Sequence, residues 1–162
     1  MDLGGEPSTL VNVTQVHQSR CAVQRSVYGR HLILSARAEG KPARIMIDTG
    51  ATGNYISTRF VGRQRLTAKL KPRPYHLSLA DGTPIQENDG RVKHEVQLDQ
   101  LVIGRHRETI TMDMIDIPQD AILGIPWLQQ HSPVVNWKTR EMTFPRCECT
   151  RETQTPRVPK AE

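Results

Sequence analysis

The sequence of 162 residues predicts a small all-β domain of the barrel type. Its apolar runs are short and rich in β-branched residues, which is typical of strands. Turn signals built from Gly, Pro and Asp-Gly separate these runs at close intervals, and helical spacing is confined to one or two short segments. This pattern favours a closed or nearly closed sheet around a core of roughly 100–120 residues.

The first strands are predicted to form a hairpin. Residues 31–37 and 43–47 are the two apolar runs, and Gly40 and Pro42 lie between them as turn residues. A short helix is expected over residues 58–66, before two prolines that a helix does not accommodate. The order in this part is therefore strand, turn, strand, loop and helix.

The middle of the chain is predicted to consist of further hairpins. Residues 75–80 alternate between apolar and polar side chains, and Asp81-Gly82 is a strong signal for a hairpin turn. Alternation returns over residues 91–98 and 109–115. Each of these segments is expected to be a strand with one buried face.

The last elements are a strand, a short helix and a terminal hairpin. Residues 121–123 form an apolar run that ends at a glycine, and Pro126 fits the first turn of the helix that follows. The terminal hairpin is expected over residues 134–144. Trp127 and Trp137 are interpreted as anchors of the core.

Three segments are expected along the chain: a flexible arm over residues 1–26, a folded domain over residues 27–146, and a disordered tail over residues 147–162. The cysteines are odd in number, lack the spacing of a disulfide framework or zinc finger, and are interpreted as free thiols: Cys21, Cys147 and Cys149. The histidines share no metal-ligand spacing and are interpreted as surface or core residues: His76, His94, His106 and His131. No metal or cofactor is predicted.

Charge and targeting signals say little about partners. The net charge is +5, and the basic residues are scattered without interleaved aromatic residues, as on an ordinary solvated face. Only a weak, salt-sensitive attraction to nucleic acid is predicted. No apolar run approaches the roughly 18 residues that span a bilayer, and no signal peptide is evident, so an intracellular protein without a membrane partner is expected.

The most informative segment is residues 47–53, Ile-Asp-Thr-Gly-Ala-Thr-Gly. An apolar strand delivers the carboxylate of Asp48 directly into a tight turn, where burial of the charge is costly without a functional reason. Asp-Thr-Gly alone is a weak signal, because a carboxylate that caps an ordinary turn gives the same tripeptide.

Three segments together resemble the retropepsins, in particular the protease of gypsy-type LTR retrotransposons. Residues 45–57 look like the catalytic loop, residues 77–85 like the flap hairpin, and residues 120–137 like the final strand and helix. The resemblance covers about residues 28–145. It implies a closed acid-protease barrel with one short C-terminal helix, and an aspartic endopeptidase that cleaves a retroelement polyprotein.

The resemblance also implies roles for single residues. Asp48 is the expected catalytic carboxylate, Thr49 the residue that hydrogen-bonds across to a partner loop, and Gly50 and Ala51 the small residues that let the backbone turn beside the substrate. The expected flap residues are Ala80, Asp81, Gly82 and Thr83. The expected support beneath the loop is Ile122, Leu123 and Gly124.

One carboxylate cannot complete peptide hydrolysis by water, which needs both a base and an acid. Two neighbouring carboxylates that share one proton do both, as in aspartic proteases generally. The chain contains a single Asp-Thr-Gly, so the second carboxylate is expected from Asp48 of another copy across a two-fold axis. A homodimer with one site, acting on an extended peptide, is predicted.

A second hypothesis keeps the fold without the activity: a host-adopted module for dimerisation or peptide binding, of which a ubiquitin-shuttle relative is a narrower form. Three departures from the retroviral pattern bear on the dimer. Ile125 stands where retroviral members carry a bracing Arg, the flap has one glycine, Gly82, and short terminal strands that knit a dimer are not evident. The intact Asp-Thr-Gly-Ala loop favours the enzyme.

Overall fold

A computed structural model describes residues 24–25, 31–79, 82–145 and 147. Two of the expected flap residues, Ala80 and Asp81, lie outside the described residues. Most of the expected arm and tail, with Cys21 and Cys149, also lies outside them.

Six strands close into a barrel. In spatial order they are β2 (Leu32–Ala38), β3 (Lys41–Ile47), β8 (Ala121–Leu123), β4 (Tyr55–Ser57), β7 (His106–Ile115) and β6 (Arg91–Ile103). The ring closes because β2 also pairs with β6. The β3–β8 and β4–β7 pairs are parallel, and the other pairs are antiparallel. The closed all-β barrel predicted from the sequence is confirmed.

Strand β5 (Lys69–His76) extends the sheet beyond the barrel and pairs with β6. Its two prolines, Pro72 and Pro74, remove backbone donors, and prolines are tolerated in a sheet at an edge strand of this kind. The register shifts between Leu70 and Tyr75, where the prolines lie. The chain therefore leaves the helix before the prolines, as predicted, and continues as an irregular edge strand.

The first hairpin and both helices form where their signals lie. Glu39 and Gly40 both have positive φ in the two-residue turn between β2 and β3. Helix α1 (Thr58–Gln64) begins after Ser57, whose Oγ accepts hydrogen bonds from two backbone N–H groups of the first turn. Helix α2 (Ile125–His131) has a proline in its first turn. A 3₁₀ turn over Glu87–Gly90 precedes β6.

A three-stranded sheet lies beside the barrel and contains β1 (Gln24–Arg25), β10 (Glu141–Thr143) and β9 (Val134–Asn136). The terminal hairpin is therefore present. The sequence did not predict β1, which pairs with β10 at the end of the expected flexible arm. A strand of two residues carries no periodicity, so its sequence gives no signal.

The main core contains Trp127, Phe60 and Phe144, all almost fully buried. The interpretation of Trp137 as a second anchor is wrong, because its side chain is 66% exposed in the turn after β9. Cys147, assigned to the tail, is instead buried in this core. Among the described residues, no helix is long and apolar enough to cross a bilayer.

Candidate active site

Asp48 is the first residue after β3 and is half-buried. Its backbone N–H donates to the carbonyl of Leu123 at 3.0 Å, which continues the parallel pairing of β3 with β8. This hydrogen bond is made by the backbone of Asp48 itself. The strand ladder therefore fixes the position of the residue that carries the carboxylate. A buried strand thus delivers a carboxylate to the edge of the barrel.

The turn that follows holds the carboxylate in place. The N–H of Gly50 donates to Oδ1 of Asp48 at 2.8 Å, and the N–H of Ala51 donates to the carbonyl of Asp48 at 3.1 Å. A Cβ at position 50 would lie only 3.3 Å from the same Oδ1. Thr49 and Gly50 are exposed at the tip. The small residues of the loop therefore leave this side of the carboxylate accessible.

Gly124 packs directly beneath the loop. A Cβ there would meet the carbonyl oxygens of Gly53 at 2.3 Å and Ala51 at 2.5 Å, which is closer than real contacts allow. Its N–H donates to Oδ1 of Asn54 at 3.0 Å, and the next N–H, of Ile125, donates to the carbonyl of Ala51 at 2.9 Å. The structure thus brings the loop and the expected support residues together, since Ile122 and Leu123 precede Gly124 in β8.

Ile125, which replaces the retroviral Arg, uses its backbone for this contact. Asn54, at the other end of the loop, was not singled out from the sequence. Its side chain accepts from Gly124, and its carbonyl accepts from the N–H of Asp113 at 2.9 Å. The sequence gives no spacing signal for the role of this Asn, because its partners lie far away in the chain.

The expected flap is a hairpin over its described part. Ile85 donates to the carbonyl of Leu77 at 3.0 Å, and Leu79 donates to the carbonyl of Thr83 at 2.6 Å. Gly82, with φ of +90°, donates to the carbonyl of Leu79 at 2.9 Å. Leu79 is largely exposed close to the tip. An exposed apolar residue on a narrow hairpin is suited to contact with an extended ligand.

An apolar cluster connects the loop with the base of this hairpin. Tyr55 and Ile122 are among its buried members, and Ala51, Leu77 and Ile85 pack against it. The Asp48 loop, β8 and the hairpin therefore share one apolar surface. This surface is separate from the main core of the barrel.

A polar network lies on the neighbouring strands and was missed in the sequence. Asp113 accepts hydrogen bonds from the Tyr75 hydroxyl and from Lys71 at 2.7 Å, and Lys71 also pairs with Glu95 at 3.2 Å. Burial and the bond to Asp113 raise the pKa of Tyr75. Burial lowers the pKa of Lys71, but the two carboxylates outweigh it and raise the value. Lys71 is therefore paired and does not belong to a solvated basic face.

Other carboxylates near the loop strands have their own partners. Asp113 is engaged as above, and Asp120 accepts from the N–H of Arg44 at 2.8 Å and from Arg63 at 3.3 Å. Asp48 differs from these two carboxylates. Among the contacts of the described residues, its side chain accepts a hydrogen bond from the N–H of Gly50 in its own turn.

A closed barrel that presents Asp-Thr-Gly on a glycine-supported loop, below a hairpin, defines a retropepsin-like protease domain. The family model of the PEG10/RTL1 protease domain matches residues 44–153. The chain belongs to this retrotransposon-derived family. The gypsy-type origin inferred from the sequence stays a prediction.

Similarities to single proteins are lower. The chain is 21% identical over 131 residues to DNA damage-inducible protein 1 of Kluyveromyces lactis; the match covers 81% of this chain and 29% of that protein. Among solved structures, a retropepsin-like aspartic protease from Rickettsia conorii is 16% identical with a TM-score of 0.46 and coverage of 74% and 85%. The retroviral protease-like domain of Ddi1 from Leishmania major is 16% identical with a TM-score of 0.47 and coverage of 70% and 92%.

Proposed function

We propose that the protein is an aspartic endopeptidase whose catalytic carboxylate is Asp48. The observation that carries the proposal is the loop geometry: a half-buried carboxylate held by the N–H of Gly50 at 2.8 Å on a turn clamped by Gly124. A carboxylate that only capped a turn would not need a backbone packed so tightly beneath it. The family of the domain supports the same assignment.

The proposed site is shared between two copies of the chain. One carboxylate activates a water molecule while the other protonates the carbonyl oxygen of the scissile bond, so two are needed. Because Asp113 and Asp120 are engaged elsewhere, the second carboxylate is Asp48 of the partner copy across a two-fold axis. The exposure of Thr49 at the tip of the loop supports a contact with the partner's loop.

The substrate is an extended peptide, such as a segment of a retroelement polyprotein. It lies between the Asp48 loop and the hairpin, whose exposed Leu79 and apolar base form one wall. An extended peptide can add backbone hydrogen bonds to such a hairpin. The hairpin that contains Gly82 and Thr83 closes over it and excludes water.

The test is cleavage of a peptide library between about pH 4 and pH 7 by the wild type, Asp48→Asn and Asp99→Asn. Asp99 is exposed on β6 and makes the matched control for loss of one charge. The proposal expects activity in the wild type and in Asp99→Asn, its loss in Asp48→Asn, and inhibition by a hydroxyl-containing transition-state mimic. Equal cleavage by Asp48→Asn refutes it. Peptide binding by all three proteins without cleavage supports the non-catalytic module instead.

A further inference from the structure

A buried cluster of two histidines and a cysteine lies in the main core, apart from the Asp48 loop. His106 begins β7, His131 ends α2, and Cys147 follows β10; their exposed fractions are 0%, 2% and 6%. The Nδ1 atoms of His106 and His131 lie 3.3 Å and 3.2 Å from Sγ of Cys147. The potential ligand atoms of the three residues all lie within 4.8 Å of one another.

Glu108 orients both imidazole rings. Its two carboxylate oxygens lie 2.7 Å from Nε2 of His106 and 3.0 Å from Nε2 of His131, and Trp127 donates its indole N–H at 2.6 Å. An ionised carboxylate only accepts hydrogen bonds, so each Nε2 carries its proton. In the neutral imidazoles both Nδ1 lone pairs therefore point toward the sulfur.

This is the arrangement in which histidines bind metal ions. A ligating histidine donates its second N–H to a carboxylate, which fixes the tautomer and the ring orientation. Here one carboxylate does so for both rings.

The charges also match a divalent ion. The carboxylate of Glu108 and a thiolate at Cys147 carry two negative charges in a site shielded from bulk solvent, where Trp127 and Phe144 contact His106 and are fully buried. A divalent cation neutralises both.

We propose that His106, His131 and Cys147 bind a zinc ion through Nδ1, Nδ1 and Sγ, with a water molecule as the fourth ligand. Imidazole and thiolate are the preferred ligands of zinc in proteins. A tetrahedral ion with bonds of about 2.0–2.3 Å holds its ligand atoms roughly 3.3–3.7 Å apart. The observed Sγ–Nδ1 distances need to grow by only a few tenths of an ångström.

The ion would join three parts of the fold that are distant in sequence. His106 lies on β7, His131 on α2 and Cys147 beyond β10. Helix α2 starts at Ile125, whose N–H holds the carbonyl of Ala51 in the catalytic loop. The zinc site therefore stabilises the helix that supports the Asp48 loop without touching the reacting groups, and its binding free energy adds to folding.

The test uses the full chain in which Cys21 and Cys149 are replaced by serine, so that Cys147 is the remaining thiol. This protein is expected to bind one zinc per chain, to give a thiolate-to-metal charge-transfer band with Co²⁺, and to show one sulfur ligand by X-ray absorption at the zinc edge. Adding Cys147→Ser should abolish the band and weaken zinc binding at least about 100-fold. Glu108→Gln should weaken binding roughly 10–100-fold.

Thermal unfolding supplies the second readout. Zinc should raise the melting temperature of the Cys21→Ser/Cys149→Ser protein and leave that of the Cys147→Ser variant unchanged. If that variant fails to fold, the sulfur ligand seen by X-ray absorption in its parent still decides the question. Absence of zinc binding in the parent, or zinc coordinated by nitrogen and oxygen alone, overturns the proposal.

Discussion

Replacing Gly124 by Ala should disrupt the support beneath the Asp48 loop. The backbone of Gly124 has φ of −108°, which other residues adopt, so the cost is steric. The new Cβ would lie 2.3 Å and 2.5 Å from two backbone carbonyl oxygens and 2.9 Å from Cβ of Ala51. Backbone atoms cannot rotate away as a flexible side chain does, so the loop must shift. Overpacking of this kind costs about 1–3 kcal/mol.

Urea unfolding measures the loss of stability, and a peptide-cleavage assay measures the displacement of Asp48. A loss of 1–3 kcal/mol lowers the melting temperature of a domain of about a hundred residues by at least roughly 4 °C. Cleavage measured well below that temperature should fall by more than the fraction of unfolded protein explains, because the displaced residues Ala51 and Gly53 follow Asp48 in the same loop.

Gly62→Ala is the matched control. Gly62 lies within α1, and a Cβ added there meets nothing within 4 Å. The same substitution should therefore stabilise the protein by about 0.5–1 kcal/mol. Equal stability and activity of the two variants would show that the contact beneath the loop does not exist.

Two further predictions concern the elements around the site. Ser57→Ala removes the oxygen that accepts hydrogen bonds from the N–H groups of Arg59 and Phe60 at 3.1 Å. The free energy of unfolding measured in urea should fall by about 0.5–2 kcal/mol. A fall smaller than the error of the measurement would contradict the role of Ser57 as the helix cap. Burial raises the pKa of Glu87, and although the N–H of Asp116 opposes this, the value stays raised. The folded state then binds the proton of Glu87 more tightly than the unfolded state does. The contribution of this proton to the free energy of unfolding is present at low pH and is lost as the pH rises through the folded-state pKa. Glu87→Gln should therefore gain stability relative to the wild type as the pH rises above the ordinary glutamate pKa of about 4, and parallel stability curves would contradict that.

The features predicted correctly from the sequence are those with local causes. The hairpin of β2 and β3 follows from two apolar runs around Gly40, and α2 follows from Pro126 after a buried strand. The resemblance of the Asp48 loop was recognised because its short motif is followed later in the chain by an Ile-Leu-Gly segment. Each signal lies within one element or in a fixed order of elements.

The features that were missed depend on tertiary contacts. Trp137 has the composition of a core residue, but its place in the turn after β9 exposes it. Cys147 looks like part of a polar tail, yet it packs against His131 and His106, which precede it by 16 and 41 residues. Linear spacing cannot show such a cluster, because the barrel and α2 bring its members together.

The central claim is that one active site is built from Asp48 of two chains. The most direct measurement keeps total protein constant and mixes the wild type with Asp48→Asn in equal amounts, under conditions that allow subunits to exchange. Random dimers leave roughly one quarter of the dimers with two intact carboxylates, so activity should fall to roughly one quarter. Activity that falls only to roughly half would show that each chain cleaves by itself, and would contradict the shared dyad.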